Sequence, residues 1–149
     1  MSDGVVFSLD GTEVSAAPGE TIWQVAQRAG TKIPHLCYAD EPDYRADGNC
    51  RACMVEIEGE RVLAASCIRE PTTGMKVVTD STRADSARKM VMELLIADQP
   101  ARVDAHDPNS KLWHWADYMG LDSSRFPSRE MPVEDASHPA MRVQLDAHK

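Results

Sequence analysis

Hydrophobic and polar positions change period along the first part of the chain, and each change marks an element. Residues 5–9 (VVFSL) form a short apolar-rich run, and Asp10-Gly11 behind it is a strong two-residue hairpin signal. The pattern predicts that residues 12–16 return as the partner strand. Pro18-Gly19-Glu20 then turns the chain into a stretch where Ile22, Val25, Ala26 and Ala29 share one helical face at i, i+3, i+4 and i+7. Gly30 suits the helix stop, and Pro34 closes the unit. Residues 34–50 hold two prolines and a glycine with no sustained period, which predicts a loop. Residues 53–58 alternate, with Met54, Glu56 and Glu58 against Cys53, Val55 and Ile57, as a half-buried strand does. Glu58-Gly59-Glu60 turns it, residues 61–65 are expected to return as its hairpin partner, and residues 75–79 add a last strand. Small strands around one short helix predict an α+β domain of the β-grasp kind over residues 1–80.

The character changes from Ser81. Residues 84–98 carry Ala87, Met90, Val91, Leu94 and Leu95 at helical spacing, with Asp85 near the start and Pro100 beyond the end. A second helix follows, with Asp107 as the expected cap, Pro108 in the first turn and Gly120 as the stop. Its inward stripe is expected to be Leu112, Trp115 and Met119, which turns Trp113 toward solvent or a partner, though core packing accommodates both tryptophans equally well. Beyond Leu121 the chain is rich in Ser, Pro and acidic residues and is expected to extend. Residues 81–149 therefore read as a helical linker and docking arm.

Composition narrows the functions. The 149 residues suffice for one good core or for a small domain with an arm. Sixteen basic against 24 acidic residues give a net charge of −8 and show no basic stripe, which argues against nucleic-acid binding. No apolar run is long enough to span a bilayer, and the start (MSDGVVFSLDG) lacks a basic region followed by an apolar one. The expectation is a cytoplasmic protein, where clustered cysteines serve metal binding or catalysis more often than disulfides.

All four cysteines, Cys37, Cys50, Cys53 and Cys67, lie in one segment with the spacing C-x12-C-x2-C-x13-C. The central pair chelates from a tight loop, and the outer two arrive from separate segments. Zinc ribbons usually bring two short-spaced pairs, and only one is present. A [2Fe–2S] cluster takes two thiolates on each iron, delivered to both ends of a flat rhomb, and a long loop closed by a late cysteine meets that need. Spacing favours the cluster and leaves a zinc site as the alternative. Gly48 and Ala52 keep the backbone close, so amides can face sulfur, and Arg45 and Arg51 are candidates to offset the charge gained on reduction. Their ordinary role as solvated side chains is the stronger reading. A catalytic cysteine needs a positioned base; His35 is nearest in sequence, but no nucleophile signature surrounds it. His35 is expected to pack by Pro34 or bond the loop, while His106, His114, His138 and His148 show no metal spacing.

Three stretches, GETIWQVAQRAGTKIPHLCY, RADGNCRACMVEIEGERVLAASC and ARKMVMELLIADQP, together resemble the N-terminal ferredoxin-like domain of the catalytic (alpha) subunit of soluble NAD-dependent formate dehydrogenases. More distantly the chain is similar to the opening domain of the large iron–sulfur subunit of respiratory complex I. The resemblance implies a [2Fe–2S] cluster on a β-grasp domain, with Cys37, Cys50, Cys53 and Cys67 as its ligands. It also implies assembly with molybdopterin-bearing and flavin- and NAD-binding subunits of a formate dehydrogenase-type complex. Two departures limit it. The complex I relatives carry a His-x3-Cys-x2-Cys run for a further four-iron cluster, whereas ADQPARVDAHDPNSKLWHW offers His106 and His114 without a cysteine. The formate dehydrogenases also continue, after a stretch like SHPAMRVQLDA, into cysteine-rich segments and the catalytic body, which these residues do not include. The expected function is one-electron transfer with no catalytic site in these residues. The rival is a non-redox interaction module built on a structural four-cysteine zinc site.

Overall fold

The computed structural model describes residues 4–130. Two strands, β1 (Val5–Leu9) and β2 (Thr12–Ala16), form the predicted hairpin, in register from Val5 opposite Ala16 to Leu9 opposite Thr12. Asp10 and Gly11 between them have φ of 50° and 80°, the left-handed pair that a type I′ turn requires. Helix α1 (Ile22–Arg28) follows, then a long irregular stretch, then β3 (Met54–Ile57), β4 (Ala64–Ala65) and β5 (Lys76–Val78). The strands make one sheet in the order β2-β1-β5-β3-β4. The β1–β5 pair is parallel, with Ser8 opposite Lys76, and β3 runs antiparallel to both β5 and β4. This mixed sheet, with α1 entering the same core, is the expected α+β β-grasp arrangement.

Strand parity sets the core. Phe7 and Leu9 of β1, Val55 and Ile57 of β3 and Val77 of β5 are buried together with Ile22, Trp23, Val25 and Ala26 of α1. The helix begins at a capping box: the Thr21 hydroxyl accepts from the Gln24 amide N–H, and the Gln24 side chain accepts from the Thr21 N–H. Ala29 is exposed rather than buried, and Trp23 takes an inward place that the i, i+3, i+4 pattern does not assign to it. The return strand after β3 is shorter than expected. Glu60 N–H bonds back to the Ile57 carbonyl, so residues 61–63 lie outside the ladder and Val62 is exposed. The opposite end of β5 is tied to the first hairpin, where Asp10 accepts from both the N–H and the hydroxyl of Thr79 at 2.7 Å.

Two compact units divide between Val91 and Met92. Helix α2 (Thr82–Ala97) begins two residues before the expected start, with the Ser81 hydroxyl accepting from Ala84 N–H. Its buried stripe differs from the predicted one. Ala84, Arg88, Met92 and Ile96 are buried at i, i+4 spacing, whereas Met90 and Leu94 are 46% and 49% exposed. The inward Arg88 donates to the Met54 carbonyl at 3.2 Å, so hydrophobicity alone points to the neighbouring face. In the second unit, a 3-10 turn (Arg102–Asp104) precedes α3 (Lys111–Tyr118). Asp107 and Pro108 precede the helix rather than open it, with Asp107 accepting from the Asn109 N–H. Gly120, at φ 69°, ends α3 as expected. Trp113 does not face outward: it is buried like Trp115, beneath the Arg102 guanidinium. Residues 121–130 contain no helix or strand; the expectations for the rest of the tail, including His138 and His148, lie outside the described residues. Among the described residues no helix is long and apolar enough to cross a membrane.

The Asp10–Thr79 tie generates a direct test. Asp10→Ala removes both bonds and leaves a β-carbon in the left-handed region, for a loss of about 2 kcal/mol in urea denaturation. Asp10→Asn, which tolerates that region and keeps an acceptor, is expected to lose about half as much.

Candidate metal centre

Strand alternation places two of the four thiols. Cys53 precedes β3 with the same parity as Val55 and Ile57, and its side chain is 1% exposed. Cys67 follows β4 with the parity of Ala65 and is also 1% exposed. The intervening Ser66 extends the β3–β4 ladder, with its N–H and hydroxyl both donating to the Cys53 carbonyl at 3.2 and 2.7 Å. The first turn of α1 braces the same segment: Ile22 N–H bonds the Arg69 carbonyl and Trp23 N–H bonds the Ser66 carbonyl. Two otherwise orphaned helix donors are thus satisfied by the backbone on either side of Cys67.

The loop supplies the other two. Cys37 N–H donates to Cys50 Sγ at 3.5 Å, and Cys50 N–H donates to Cys37 Sγ at 3.4 Å. Both thiols are only half-buried. Gly48, at φ 64°, lets the loop pass close to Cys67's neighbour, since a β-carbon there would sit 2.8 Å from Ile68 Cδ1. Arg51 adopts φ 58°, and Ala52 behind it is fully buried. The described residues contain no trio of His, Cys, Asp or Glu converging as one metal ion needs. The thiols instead form two pairs, Cys37 with Cys50 and Cys53 with Cys67, and Cys67 feels the charge of both loop cysteines.

The electrostatics follow this pairing. Hydrogen bonding from Cys67 lowers Cys53 to about 6, against burial, and amides of Cys67 and Ser66 assist. The same bond, with burial, pushes Cys67 above the usual thiol range. Burial raises Cys50, while the amides of Cys37, Ala52 and Leu36 favour its thiolate. Sulfur ringed by backbone N–H groups suits a centre whose thiolates carry net negative charge.

Aromatic side chains pack along the segment that bears Cys37. Trp23 meets His35 and Tyr38 edge-on with centroids 4.6 and 5.0 Å apart, and its indole N–H donates to the Ile33 carbonyl. Tyr44 donates from its hydroxyl to the Cys37 carbonyl at 3.1 Å, and Tyr38 to Asp40 Oδ1 at 2.8 Å. His35 lies within 3.3 Å of the Ile33 carbonyl, in the loop-bonding role expected of it. Arg45 pairs with Asp47 at 3.0 Å and is 89% exposed, so it does not face the thiols. Sequence reasoning missed Trp23, Tyr38, Tyr44, Asp40 and Ser66. The Thr21-x-x-Gln24 capping signature and the aromatics flanking Cys37 were the available signals.

Four thiols in two pairs, with amides aimed at sulfur, fit a [2Fe–2S] cluster. Comparison with known proteins agrees. Residues 2–82 match the family model described as a 2Fe-2S iron-sulfur cluster binding domain. The chain is 32% identical over 133 residues to a subunit of the NADH-quinone oxidoreductase of Rickettsia felis, covering 88% of this chain and 20% of that protein. The Rickettsia typhi counterpart is 33% identical over 129 residues, or 85% of this chain and 19% of that protein. The chain thus spans about a fifth of these curated relatives' length. Among solved structures it is similar to an NAD+-reducing [NiFe]-hydrogenase in the H2-reduced state, with a TM-score of 0.75 and 32% identity, over 91% of this chain and 57% of that one.

Tyr38 provides a pH test. Burial, reinforced by the bond to Asp40, raises its phenol from 10.0 to about 12. The folded value lies above the unfolded one, so the contribution is complete below pH 10 and is lost as pH rises toward 12. The urea midpoint should fall across that window, and part of the fall should be missing in Tyr38→Phe.

Proposed function

We propose a function from one premise: the chain belongs to the 2Fe-2S iron-sulfur cluster binding domain family, and its cofactor is a [2Fe–2S] cluster. It passes single electrons within a larger NAD-linked oxidoreductase. Cys37 and Cys50 would hold one iron, and Cys53 and Cys67 the other. The observation that carries this is the placement of the four thiols: Cys37 and Cys50 exchange amide–sulfur bonds on the loop, while Cys53 and Cys67 are buried at one end of the β3–β4 hairpin. The bound cluster supplies storage for one electron at a time. The protein's own part is to hold thiolate, direct amide N–H groups at sulfur and brace the segment after Cys37 by packing Tyr38 edge-on against Trp23. Cys37 and Cys50 are the more exposed pair, so a cluster held by all four would lie nearest solvent at their end.

The two kinds of relative are named for different reactions, an NADH-quinone oxidoreductase and an NAD+-reducing hydrogenase. What this chain shares with parts of both is electron passage rather than a substrate site. The finer placement is a formate dehydrogenase-type complex with molybdopterin-bearing and flavin- and NAD-binding subunits, in the cytoplasm. The sequence stretches that resemble formate dehydrogenase alpha subunits support it. Residues 1–80 form the redox domain, and residues 81–149 link and dock it. Completion of the sheet at Val78, with all four cysteines before it, supports that division.

Anaerobically purified protein is expected to be red-brown, to bleach with dithionite and to contain two irons per chain. A colourless protein with stoichiometric zinc would establish the rival site. Cys50→Ser and Cys53→Ser should each abolish stable cluster assembly; retention of full iron and a normal reduced EPR signal refutes the ligand assignment. Deleting the chain from Asp104 onward should leave the cluster spectrum intact and weaken assembly with partner subunits. Loss of the cluster in that truncation would place the arm within the redox fold.

A further inference from the structure

Residues 39–49 contain no helix or strand, and most of their side chains are exposed, so burial alone does not fix this stretch between Cys37 and Cys50. Polar ties must do so, and one of them starts from helix α1. The Gln24 amide is oriented from both ends. Its Oε1 accepts from the Thr21 N–H at 3.0 Å, closing the capping box, while its Nε2 donates to Asp40 Oδ1 at 3.1 Å. The same Asp40 oxygen accepts from the Tyr38 hydroxyl at 2.8 Å. Tyr38 adjoins Cys37 in the chain, and its buried ring stands edge-on to Trp23, the residue before Gln24. A continuous path therefore runs from the helix start to the segment bearing a thiol.

We propose that Gln24 is a positioning residue for the cluster, holding the Cys37 segment in its ligating position through Asp40 and Tyr38. This rests on the cluster reading above. The chemistry demands an amide at position 24. A carboxylate closes a capping box equally well, because the box uses only the acceptor oxygen. It cannot donate to Asp40, and it sets a second negative charge against it. Glutamate therefore keeps the helix and breaks the tie. The hairpin pair, Cys53 and Cys67, is held by backbone bonds that do not involve Gln24, so only the loop pair is released.

The test uses the full chain loaded with cluster and follows the decay of visible absorption after EDTA is added. Gln24→Glu is expected to lose the cluster about fivefold faster, as removal of one hydrogen bond and addition of a repulsion predict. Far-UV circular dichroism of the metal-free chain should stay unchanged, because the capping box survives. Adding Asp40→Asn to Gln24→Glu should restore the wild-type rate, since an asparagine Nδ2 in the place of Oδ1 donates one N–H to the new carboxylate and the other to the Tyr38 oxygen. Equal decay in wild type and Gln24→Glu overturns the proposal, as does a double variant that decays as fast as the single one. A wild-type chain that forms no dithionite-bleachable chromophore overturns the cluster reading and this role with it.

Discussion

Thiolates that bind iron carry negative charge, and bringing four of them into one partly buried volume is the demand from which the rest of the first unit follows. Without compensation, desolvation and mutual repulsion favour the protonated thiols. Both effects are visible here: burial raises Cys50, and the hydrogen bond to Cys53, burial and the charge of the other three cysteines raise Cys67. The offsetting groups at Cys50 are backbone amides. Cys37, Ala52 and Leu36 turn their N–H groups on Cys50, and Arg45 is occupied by Asp47. Amides fixed by backbone geometry need little reorientation when charge changes, which suits a centre that alternates between two charge states. The left-handed backbone at Gly48 and Arg51 is the conformational cost of that arrangement.

The two thiol pairs are held by different means. Cys53 and Cys67 inherit their positions from strand parity and from a ladder that Ser66 extends, so their placement is as firm as the sheet. Cys37 and Cys50 depend on reciprocal amide–sulfur bonds, on Tyr44 and on the Gln24–Asp40–Tyr38 path. Helix α1 connects the two systems. Its first amides grip the Cys67 segment, its Trp23 ring faces Tyr38 and His35, and its Gln24 reaches Asp40. One short capped helix thereby sets the spacing between the rigid pair and the loop pair.

Much of this is legible in the sequence because it depends on local rules. The Asp10-Gly11 hairpin, the Gly30 stop and the parity of Cys53, Val55 and Ile57 each follow from a few adjacent residues, and the structure shows all three. What escapes depends on partners distant in the chain. Arg88 is buried because the Met54 carbonyl accepts from it, which no periodicity reveals, and so α2 turns a different face inward. Trp113 is covered by Arg102 rather than exposed as the spare residue of its helix. For the loop, sequence predicts irregularity and nothing finer. Its order comes from polar side-chain bonds, Gln24 and Tyr38 to Asp40 and Tyr44 to the Cys37 carbonyl, whose residue types occur in any solvated loop.

Holding one end by the sheet and the other by polar bonds gives the site uneven local stability. Releasing Cys53 or Cys67 means breaking the β3–β4 ladder and exposing core residues, at a cost approaching that of unfolding the unit. The loop end gives up individual hydrogen bonds worth about 1 kcal/mol each, and little apolar surface beyond Tyr38. Metal sites need an entry path as well as a closed geometry. A loop packed by apolar side chains would resist opening as strongly as the core does. One held by a few polar ties can admit iron at the half-buried Cys37 and Cys50 end while the buried pair stays in place, and the separation of these two jobs follows from which residues are strand and which are loop.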